Sequence, residues 1–192
     1  MQKGGVSILL VLLFGLAVSC GYKAGAGGSS PSMTLSIPLI EGDKDGLFTT
    51  SIIREVTSRT QFKYYPDNPQ TVLAIRILDL DDENVGFRYD RKRSGKLRHN
   101  IIPVETRIAV QVEMTLYRAC DNAPLLGPLL VEAAVDFDHE YYPNRDAVNV
   151  FSLGQLTDYD AARDASIFPL SRELARRIAD RLIFCASDLC CE

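Results

Sequence analysis

Residues 104–116 alternate strictly between two kinds of side chain, and this stretch constrains the fold more than any other. One parity is almost entirely apolar and carries Val104, Thr106, Ile108, Val110, Val112, Met114 and Leu116. The other parity carries Glu105, Arg107, Ala109, Gln111, Glu113 and Thr115. Successive side chains of a strand point to opposite faces of a sheet, so the pattern predicts a strand with one buried and one solvated face.

Three further strands show the same period of two. A first strand is predicted within residues 33–41, with one face made of Leu35, Ile37 and Leu39. A long second strand starts at Thr71, is bulged or bent at the acidic segment 79–84, and carries on one parity Leu73, Ile75, Ile77, Val85, Phe87 and Tyr89. A last strand has a face made of Leu129, Val131, Ala133, Val135 and Phe137. No helical pattern separates the last three strands, which predicts an antiparallel meander.

Two segments have helical periodicity instead. Residues 47–60 place Phe48, Ile52 and Val56 on one face. The second helix is expected to begin after Asp158 as N-cap, and its apolar stripe is Ile167, Leu170, Leu174, Ile178 and Leu182. Pro169 either kinks this helix or starts a second one. The element order is therefore β-α-β-β-β-α, an α+β fold.

The N-terminus has the pattern of an export signal. Lys3 precedes an apolar run over 6–18 that is shorter than the roughly 20 residues a membrane-spanning helix needs. A tract rich in glycine and serine follows, which is typical of a flexible linker. We therefore expect a signal peptide at 1–19, a tether at 20–33, one domain at 34–184 and a cysteine-rich tail at 185–192.

The residues Ala17-Val18-Ser19-Cys20 resemble the lipobox of bacterial lipoproteins. In that family the cysteine thiol receives a diacylglycerol, the signal is cut before it, and the new N-terminus is acylated, commonly with palmitate. The resemblance implies a membrane anchor at Cys20. Gly21 is not the aspartate that retains such proteins in the inner membrane of enterobacteria, which favours the outer membrane.

Cys20-Gly21-Tyr22, the order of elements and the closing segment "LSRELARRIADRLI" together resemble the lipopolysaccharide-assembly lipoprotein family, LptE. The resemblance spans about Cys20 to Ile183, and the tail "CASDLCCE" departs from it. It implies a four-stranded mixed, largely antiparallel sheet with two amphipathic helices packed on one face. It also implies a non-enzymatic protein that acts as plug and assembly partner of a large β-barrel, LptD-like, and contacts lipopolysaccharide.

A dense basic cluster lies between the second and third predicted strands. It consists of Arg88, Arg91, Lys92, Arg93, Lys96 and Arg98. Ser94-Gly95 fits the tip of a hairpin there. Guanidinium groups bind phosphates in bidentate fashion, so this tip is a candidate contact for lipopolysaccharide or for acidic residues of a barrel partner. The alternative is a solvated turn that keeps the end of the sheet soluble.

Two acidic clusters offer possible metal ligands. Asp79, Asp81, Asp82 and Glu83 offer oxygen ligands for calcium but lack the glycine and spacing of an EF-hand loop. Around His139 lie Asp136, Asp138 and Glu140. In both places solvated acidic residues are the simpler interpretation, and no metal is predicted.

Composition argues against several other functions. Without residues 1–19 the chain has 20 basic and 25 acidic residues, a poor match for a nucleic-acid binder. Only two histidines occur, His99 and His139, and no nucleophile motif or phosphate-binding glycine loop is present, so no catalytic residue and no cofactor is predicted. The remaining cysteines are Cys120, Cys185, Cys190 and Cys191; their spacing does not fit zinc, and whether they form disulfides stays open.

The leading hypothesis is thus an outer-membrane lipoprotein of the lipopolysaccharide transport machinery. The alternative is a periplasm-facing accessory or scaffold lipoprotein that binds only protein. A lipid-anchored hydrolase remains as a third hypothesis, which requires a catalytic site of unrecognised type.

Overall fold

The computed structural model describes residues 33–91, 95–140 and 158–189; the side chains of 90–91, 97–100 and 184–189 are outside the description. Three expected segments therefore lie outside it: the signal peptide, the tether with Cys20, and the end of the cysteine-rich tail. The strands are β1 (Thr34–Ser36), β2 (Lys63–Tyr64), β3 (Thr71–Arg91), β4 (Leu97–Arg118) and β5 (Pro124–Asp138). The helices are α1 (Leu47–Arg59) and α2 (Tyr159–Leu189).

The fold is α+β with a mixed sheet and two helices, as predicted, but the sheet has five strands in the order β2-β1-β3-β4-β5. The antiparallel meander of β3, β4 and β5 is confirmed, and β1 pairs in parallel with both β2 and β3. The unpredicted strand β2 has two residues and is held by main-chain bonds, such as Lys63 N–H to the Met33 carbonyl at 3.0 Å. So short a strand has no alternation to detect.

The first predicted strand is shorter than its sequence pattern. Leu39 was expected to share a buried face with Leu35 and Ile37, and this is wrong, because Leu39 is exposed and Ile40 is buried in its place. Pro38 has no N–H to donate to a ladder, and β1 ends at Ser36. The chain rejoins the sheet at Glu41, whose carbonyl accepts the Ile77 N–H at 2.9 Å.

Strand β3 contains the predicted bulge, between Ile77 and Asp79. Beyond it Leu80, Asp82 and Asn84 pair with Val110, Ile108 and Thr106 on the core face, so the predicted single parity along β3 is wrong for this stretch. The shift has a clear physical benefit, since it places Asp79, Asp81 and Glu83 on the solvated face. A second irregularity follows between Asn84 and Gly86.

The core lies between one face of the sheet and the two helices. From the sheet it takes Leu73, Ile108, Val110, Val112, Met114, Leu116, Val131 and Ala133; from the helices it takes Phe48, Ile52, Val56, Leu170, Leu174, Ile178 and Leu182. Ser51 of α1 and Ser171 of α2 are buried and hydrogen-bonded at 2.9 Å where the helices touch. The burial of this stripe confirms the predicted inward faces of both helices.

Helix α2 settles the question left open at Pro169, because a single helix of 31 residues continues through it. Its N-terminus is capped as predicted, with Asp158 Oδ1 accepting the Ala161 N–H at 2.9 Å. Among the residues that the structure describes, no helix is long and apolar enough to cross a membrane. Cys120 is exposed and free, whereas the side chain of Cys185 and residues 190–192 lie outside the description.

Candidate functional site

The candidate site is the distal hairpin, which we define as the described residues 87–91 and 95–103. Strand β5 pairs with β4 as far as Glu105, opposite Asp138, and within the described residues no other strand continues beside β4 after that point. Strands β3 and β4 continue together to the pair Arg91–Leu97, five residues along β3 beyond Gly86, which corresponds to about 16 Å at roughly 3.3 Å per residue. Gly95, with φ of 80°, lies in the turn between them. The predicted hairpin therefore exists.

Four of the six predicted basic residues lie in the described part of this hairpin. Arg88 lies in β3 and Lys96 lies just before β4, and both side chains are exposed. Arg91 ends β3 and Arg98 lies at the start of β4, but their side chains are outside the description, as are Lys92 and Arg93. The backbone thus brings Arg88, Arg91, Lys96 and Arg98 to one end of the molecule.

One face of the distal hairpin is apolar and uncovered, which the sequence pattern did not reveal. The pairs Phe87–Pro103 and Tyr89–Ile101 lie two steps apart along the ladder and share a face. Phe87, Tyr89 and Ile101 are 57%, 62% and 60% exposed. Phe87 and Tyr89 were expected on a buried face, and this expectation is wrong, since alternation shows which residues share a face but not whether anything covers it.

A polar cluster with two buried members, Thr106 and His139, lies where the distal hairpin leaves the rest of the sheet. The Thr106 hydroxyl donates to Asn84 Oδ1 at 3.0 Å and lies 2.9 Å from His139 Nε2. Because the hydroxyl has a single proton, it accepts from Nε2–H, and this assigns the proton of the imidazole to Nε2. His139 is only 4% exposed, and its Nδ1 has no hydrogen-bond partner among the described residues.

Aromatic rings and a tyrosine hydroxyl surround this cluster. Tyr159, the first residue of α2, meets the His139 ring edge-on at 5.1 Å between centroids, and Phe137 packs beside both. The Tyr159 hydroxyl donates to Asp82, and this hydrogen bond, together with burial, raises the pKa of Tyr159. Arg163 lies 3.9 Å from the same carboxylate. The start of α2 is thereby joined to the base of the hairpin.

The acidic clusters do not converge on a common point. Asp79, Asp81 and Glu83 lie on the solvated face, while Asp82 lies on the core face with Tyr159. Asp136 binds Arg107 through two bonds of 2.7 and 2.9 Å, which lower the pKa of its carboxyl, so it is directed away from His139. No group of three metal-binding side chains comes together within the described residues.

A second surface feature is an open groove of 480 Å³ between α2, α1 and strand β5. It is lined by Glu55, Ala134, Val135, Pro169, Arg172, Glu173 and Arg176. Hydrogen bonds from Arg176 and Arg177 lower the pKa of Glu173 from 4.5 to about 2. Arg177 also donates to the Glu132 carbonyl of β5 at 2.8 Å, so a helix side chain occupies part of this strand's outer edge.

Comparisons with known proteins give fold-level likeness only. No protein-family model matches the chain, and no curated protein matches it significantly. Rare lipoprotein B of Shewanella oneidensis is 15% identical, with 81% of this chain and 95% of that chain covered and a TM-score of 0.43. A minor lipoprotein of Acinetobacter baumannii is 14% identical over 82% and 93% of the two chains, with a TM-score of 0.43. A protein of Xanthomonas campestris is 9% identical over 85% and 92%, with a TM-score of 0.49.

Proposed function

We propose that this protein is a lipoprotein anchored to the outer membrane through Cys20, and that it belongs to the lipopolysaccharide transport machinery. In this role it is a plug and assembly partner of a large LptD-like β-barrel and contacts lipopolysaccharide. The anchor is supported by Ala17-Val18-Ser19-Cys20, and the family by Cys20-Gly21-Tyr22 and the element order. At least two acyl chains on one cysteine would make the anchor stable, since a single acyl chain gives only marginal membrane binding.

The observation that carries the lipid contact is the distal hairpin. An otherwise acidic chain gathers its densest basic cluster at the end of a ribbon in which β3 and β4 continue beyond the last residue paired with β5. Arginine and lysine at such a tip suit the phosphates of lipid A, because charge-assisted hydrogen bonds to phosphate are stronger than neutral ones. The same cations would suit carboxylates in the lumen of a barrel.

We infer a role without catalysis and without a cofactor. The chain has two histidines, and the one whose side chain is described is hydrogen-bonded to a threonine rather than paired with a carboxylate or a nucleophile. The net acidic charge also argues against nucleic acid as partner.

The test is charge reversal at the hairpin. Two variants are compared with the lipidated wild-type protein. The double variant carries Arg88→Glu and Lys96→Glu, and the larger variant adds Arg91→Glu, Lys92→Glu and Arg93→Glu. We expect the double variant to bind purified lipopolysaccharide about tenfold more weakly, a change of about 1.4 kcal/mol, and the larger variant more weakly still. Salt should weaken wild-type binding in the same way, because it screens exposed charges.

The matched control reverses two exposed cations outside the distal hairpin, Arg54 on α1 and Lys63 on β2. If Arg54→Glu with Lys63→Glu weakens binding as much as the hairpin variant, net charge rather than the tip is responsible. If neither variant changes the affinity for lipopolysaccharide or for the barrel, the hairpin is a solvated turn and the proposal fails.

The alternative, an accessory or scaffold lipoprotein that binds only protein, is favoured by the groove along α2. Its arginines flank the partly free edge of β5, a geometry that accepts an acidic extended segment. Arg172→Glu with Arg176→Glu should then abolish co-purification of a partner while lipopolysaccharide binding is undetectable in every variant. Retention of a very large β-barrel together with measurable lipopolysaccharide binding would favour the leading proposal.

A further inference from the structure

We propose that the distal hairpin inserts its apolar face into the acyl region of an anionic lipid surface, while its cations remain at the level of the phosphates. This goes beyond the proposed function, because it assigns a membrane-contacting site to Phe87, Tyr89 and Ile101 and does not require recognition of lipopolysaccharide. It shares with that function only the anchor at Cys20, which would keep the hairpin near a membrane.

The geometry supplies a continuous apolar face. Phe87 and Tyr89 lie on β3 opposite Pro103 and Ile101 on β4, so four apolar residues form a two-by-two block on one side of the ribbon. More than half of the surface of Phe87, Tyr89 and Ile101 is accessible to solvent. Exposed apolar patches of contiguous residues on a projecting element mark contact surfaces more often than isolated exposed residues do.

The backbone of the ribbon is compatible with partial insertion. From Phe87 to Tyr89 the strands are in regular register through Phe87–Pro103, Arg88–Ile102 and Tyr89–Ile101, with an irregularity before the last pair, Arg91–Leu97. The outer edges still carry unpaired groups, which cannot enter a hydrocarbon core without cost. The hairpin is therefore expected to lie at the boundary between headgroups and acyl chains, and not to span the layer.

The side chains match that boundary. Tyr89 has an apolar ring and a polar hydroxyl, the combination that favours membrane interfaces. Arg88 pairs across the ribbon with Ile102, so it lies on the face opposite Phe87 and Tyr89, and its exposed guanidinium can extend along the surface. Lys96 lies at the turn and is also exposed. Cations beside an apolar face are complementary to phosphate headgroups above acyl chains.

The same charges argue against a second copy of the chain as the occupant. Two copies that paired through this face by a twofold axis would bring like-charged hairpin ends together, because an isologous interface matches each patch with itself. Such repulsion is costly where the charges are crowded, as they are between Arg88 and Arg98. A lipid surface of opposite charge has no such penalty.

The absence of tryptophan from the sequence allows a direct test. Tyr89→Trp places the only tryptophan of the protein on the apolar face. Tyr65→Trp is the comparison: Tyr65 follows β2, near the end of β3 opposite the hairpin, and is 54% exposed. Both variants are made in the full lipidated protein and reconstituted into vesicles of phosphatidylglycerol whose acyl chains carry bromine. Vesicles of brominated phosphatidylcholine serve as the zwitterionic comparison.

We expect bromine to quench the Tyr89→Trp fluorescence at least twofold in phosphatidylglycerol, and much less in phosphatidylcholine. The Tyr65→Trp fluorescence should change little in either. Adding Phe87→Ser and Ile101→Ser to Tyr89→Trp should abolish the quenching. Equal quenching in both lipids, no quenching in either, or equal quenching of both fluorophores would overturn the proposal. A change in the Tyr89→Trp fluorescence that appears without vesicles as the protein concentration rises would also overturn it, because it would indicate that a second copy of the chain covers this face.

This result is separable from the test of the proposed function. Quenching of Tyr89→Trp together with unchanged lipopolysaccharide binding in the charge-reversal variants would support insertion and contradict lipopolysaccharide recognition. Loss of lipopolysaccharide binding in those variants, without quenching of Tyr89→Trp, would contradict insertion alone. Circular dichroism of each variant shows whether the sheet is intact, and Phe87→Trp provides a second probe position if Tyr89→Trp does not fold.

Discussion

The same two strands behave differently along their length. In the body of the molecule, β3 and β4 carry Leu73 and Ile108 under the helices with no accessible surface. In the distal hairpin they carry Phe87 and Ile101, equally apolar, with more than half of their surface exposed. The difference is in what packs on each face: β5 accompanies β4 only as far as Glu105, and within the hairpin Ile102, on the face opposite Ile101, is only 4% exposed.

The two regions show that an alternating sequence pattern does not by itself distinguish a shared face from a buried face. The period of two determines which side chains share a face, and it holds in both regions. Stability depends on whether that face is removed from water, because each buried apolar side chain contributes about 1.5–3 kcal/mol relative to an exposed one. An apolar face that contributes no stability to the fold is available for binding.

The largest expected effect compares the same substitution, Ile→Ala, at a buried and at an exposed position of β4. Ile108→Ala, in the body, should lower the free energy of unfolding by about 2–5 kcal/mol, because it leaves a cavity in a site with no solvent access. Ile101→Ala, in the distal hairpin, should change it by less than about 0.5 kcal/mol. Urea denaturation followed by circular dichroism measures both. Similar losses at the two positions would mean that the hairpin is covered in solution.

Two glycines with positive φ give the next comparison, Gly127 within β5 and Gly95 in the hairpin turn. Gly127 has φ of 95°, and a Cβ there would lie 2.6 Å from the Met114 carbonyl oxygen, whereas Gly95 has φ of 80° and open space around it. Gly127→Ala should therefore cost about 2–4 kcal/mol, from backbone strain plus a displaced strand, and Gly95→Ala only about 1 kcal/mol. Thermal unfolding of the two variants measures the difference. A larger loss for Gly95→Ala would contradict it.

The boundary between the two regions depends on Thr106. Thr106→Val removes the hydroxyl that His139 Nε2 contacts and leaves both nitrogens of a buried ring without a described partner. The expected loss of stability is about 1–2 kcal/mol, the cost of an unsatisfied buried polar group. Thr106→Ser keeps the hydroxyl and should recover most of it. If Thr106→Val and Thr106→Ser unfold at the same urea concentration, the hydrogen bond between Thr106 and His139 does not stabilise the boundary.

The smallest effect concerns the surface of the body. The folded-state pKa of Glu173 is lowered from 4.5 to about 2, so its contribution is present above about pH 4.5 and is lost as the pH falls towards 2. Because Arg176 and Arg177 are about half exposed, we expect only about 1 kcal/mol. The stability difference between wild type and Glu173→Gln should be largest at pH 6 and vanish near pH 2. A difference independent of pH would contradict this assignment.

The main elements were predictable because their signals are local. Alternation identified β3, β4 and β5, and the helical stripes identified α1 and α2 with the Asp158 cap. Strand β2 was not predictable, since main-chain bonds from Lys63 and Tyr65 to the residues around β1 determine it. The parity change in β3 was equally hidden, because its consequence depends on the register with β4.

The basic residues of the candidate site could be predicted from the sequence, but its exposed apolar face could not. The basic cluster and Gly95 are visible in the sequence, and the hairpin places them at its tip. The exposure of Phe87 and Tyr89 depends on which distant residues pack over that face of the ribbon. The contact between Thr106 and His139 joins residues 33 apart in sequence, and nothing local to either position indicates it.

The position of β1 has a mechanical consequence. A lipid at Cys20 would attach the protein through the chain that enters the sheet at Thr34, and β1 lies between β2 and β3 instead of at an edge. A pull from the membrane would therefore act along β1 and load the hydrogen bonds on both of its sides at once. Side-chain bonds add to these, including Thr71 Oγ1 to the Thr34 carbonyl at 2.9 Å. Bonds loaded in parallel resist force better than bonds broken one at a time, so with a lipid at Cys20 this short strand would resist being pulled out of the sheet.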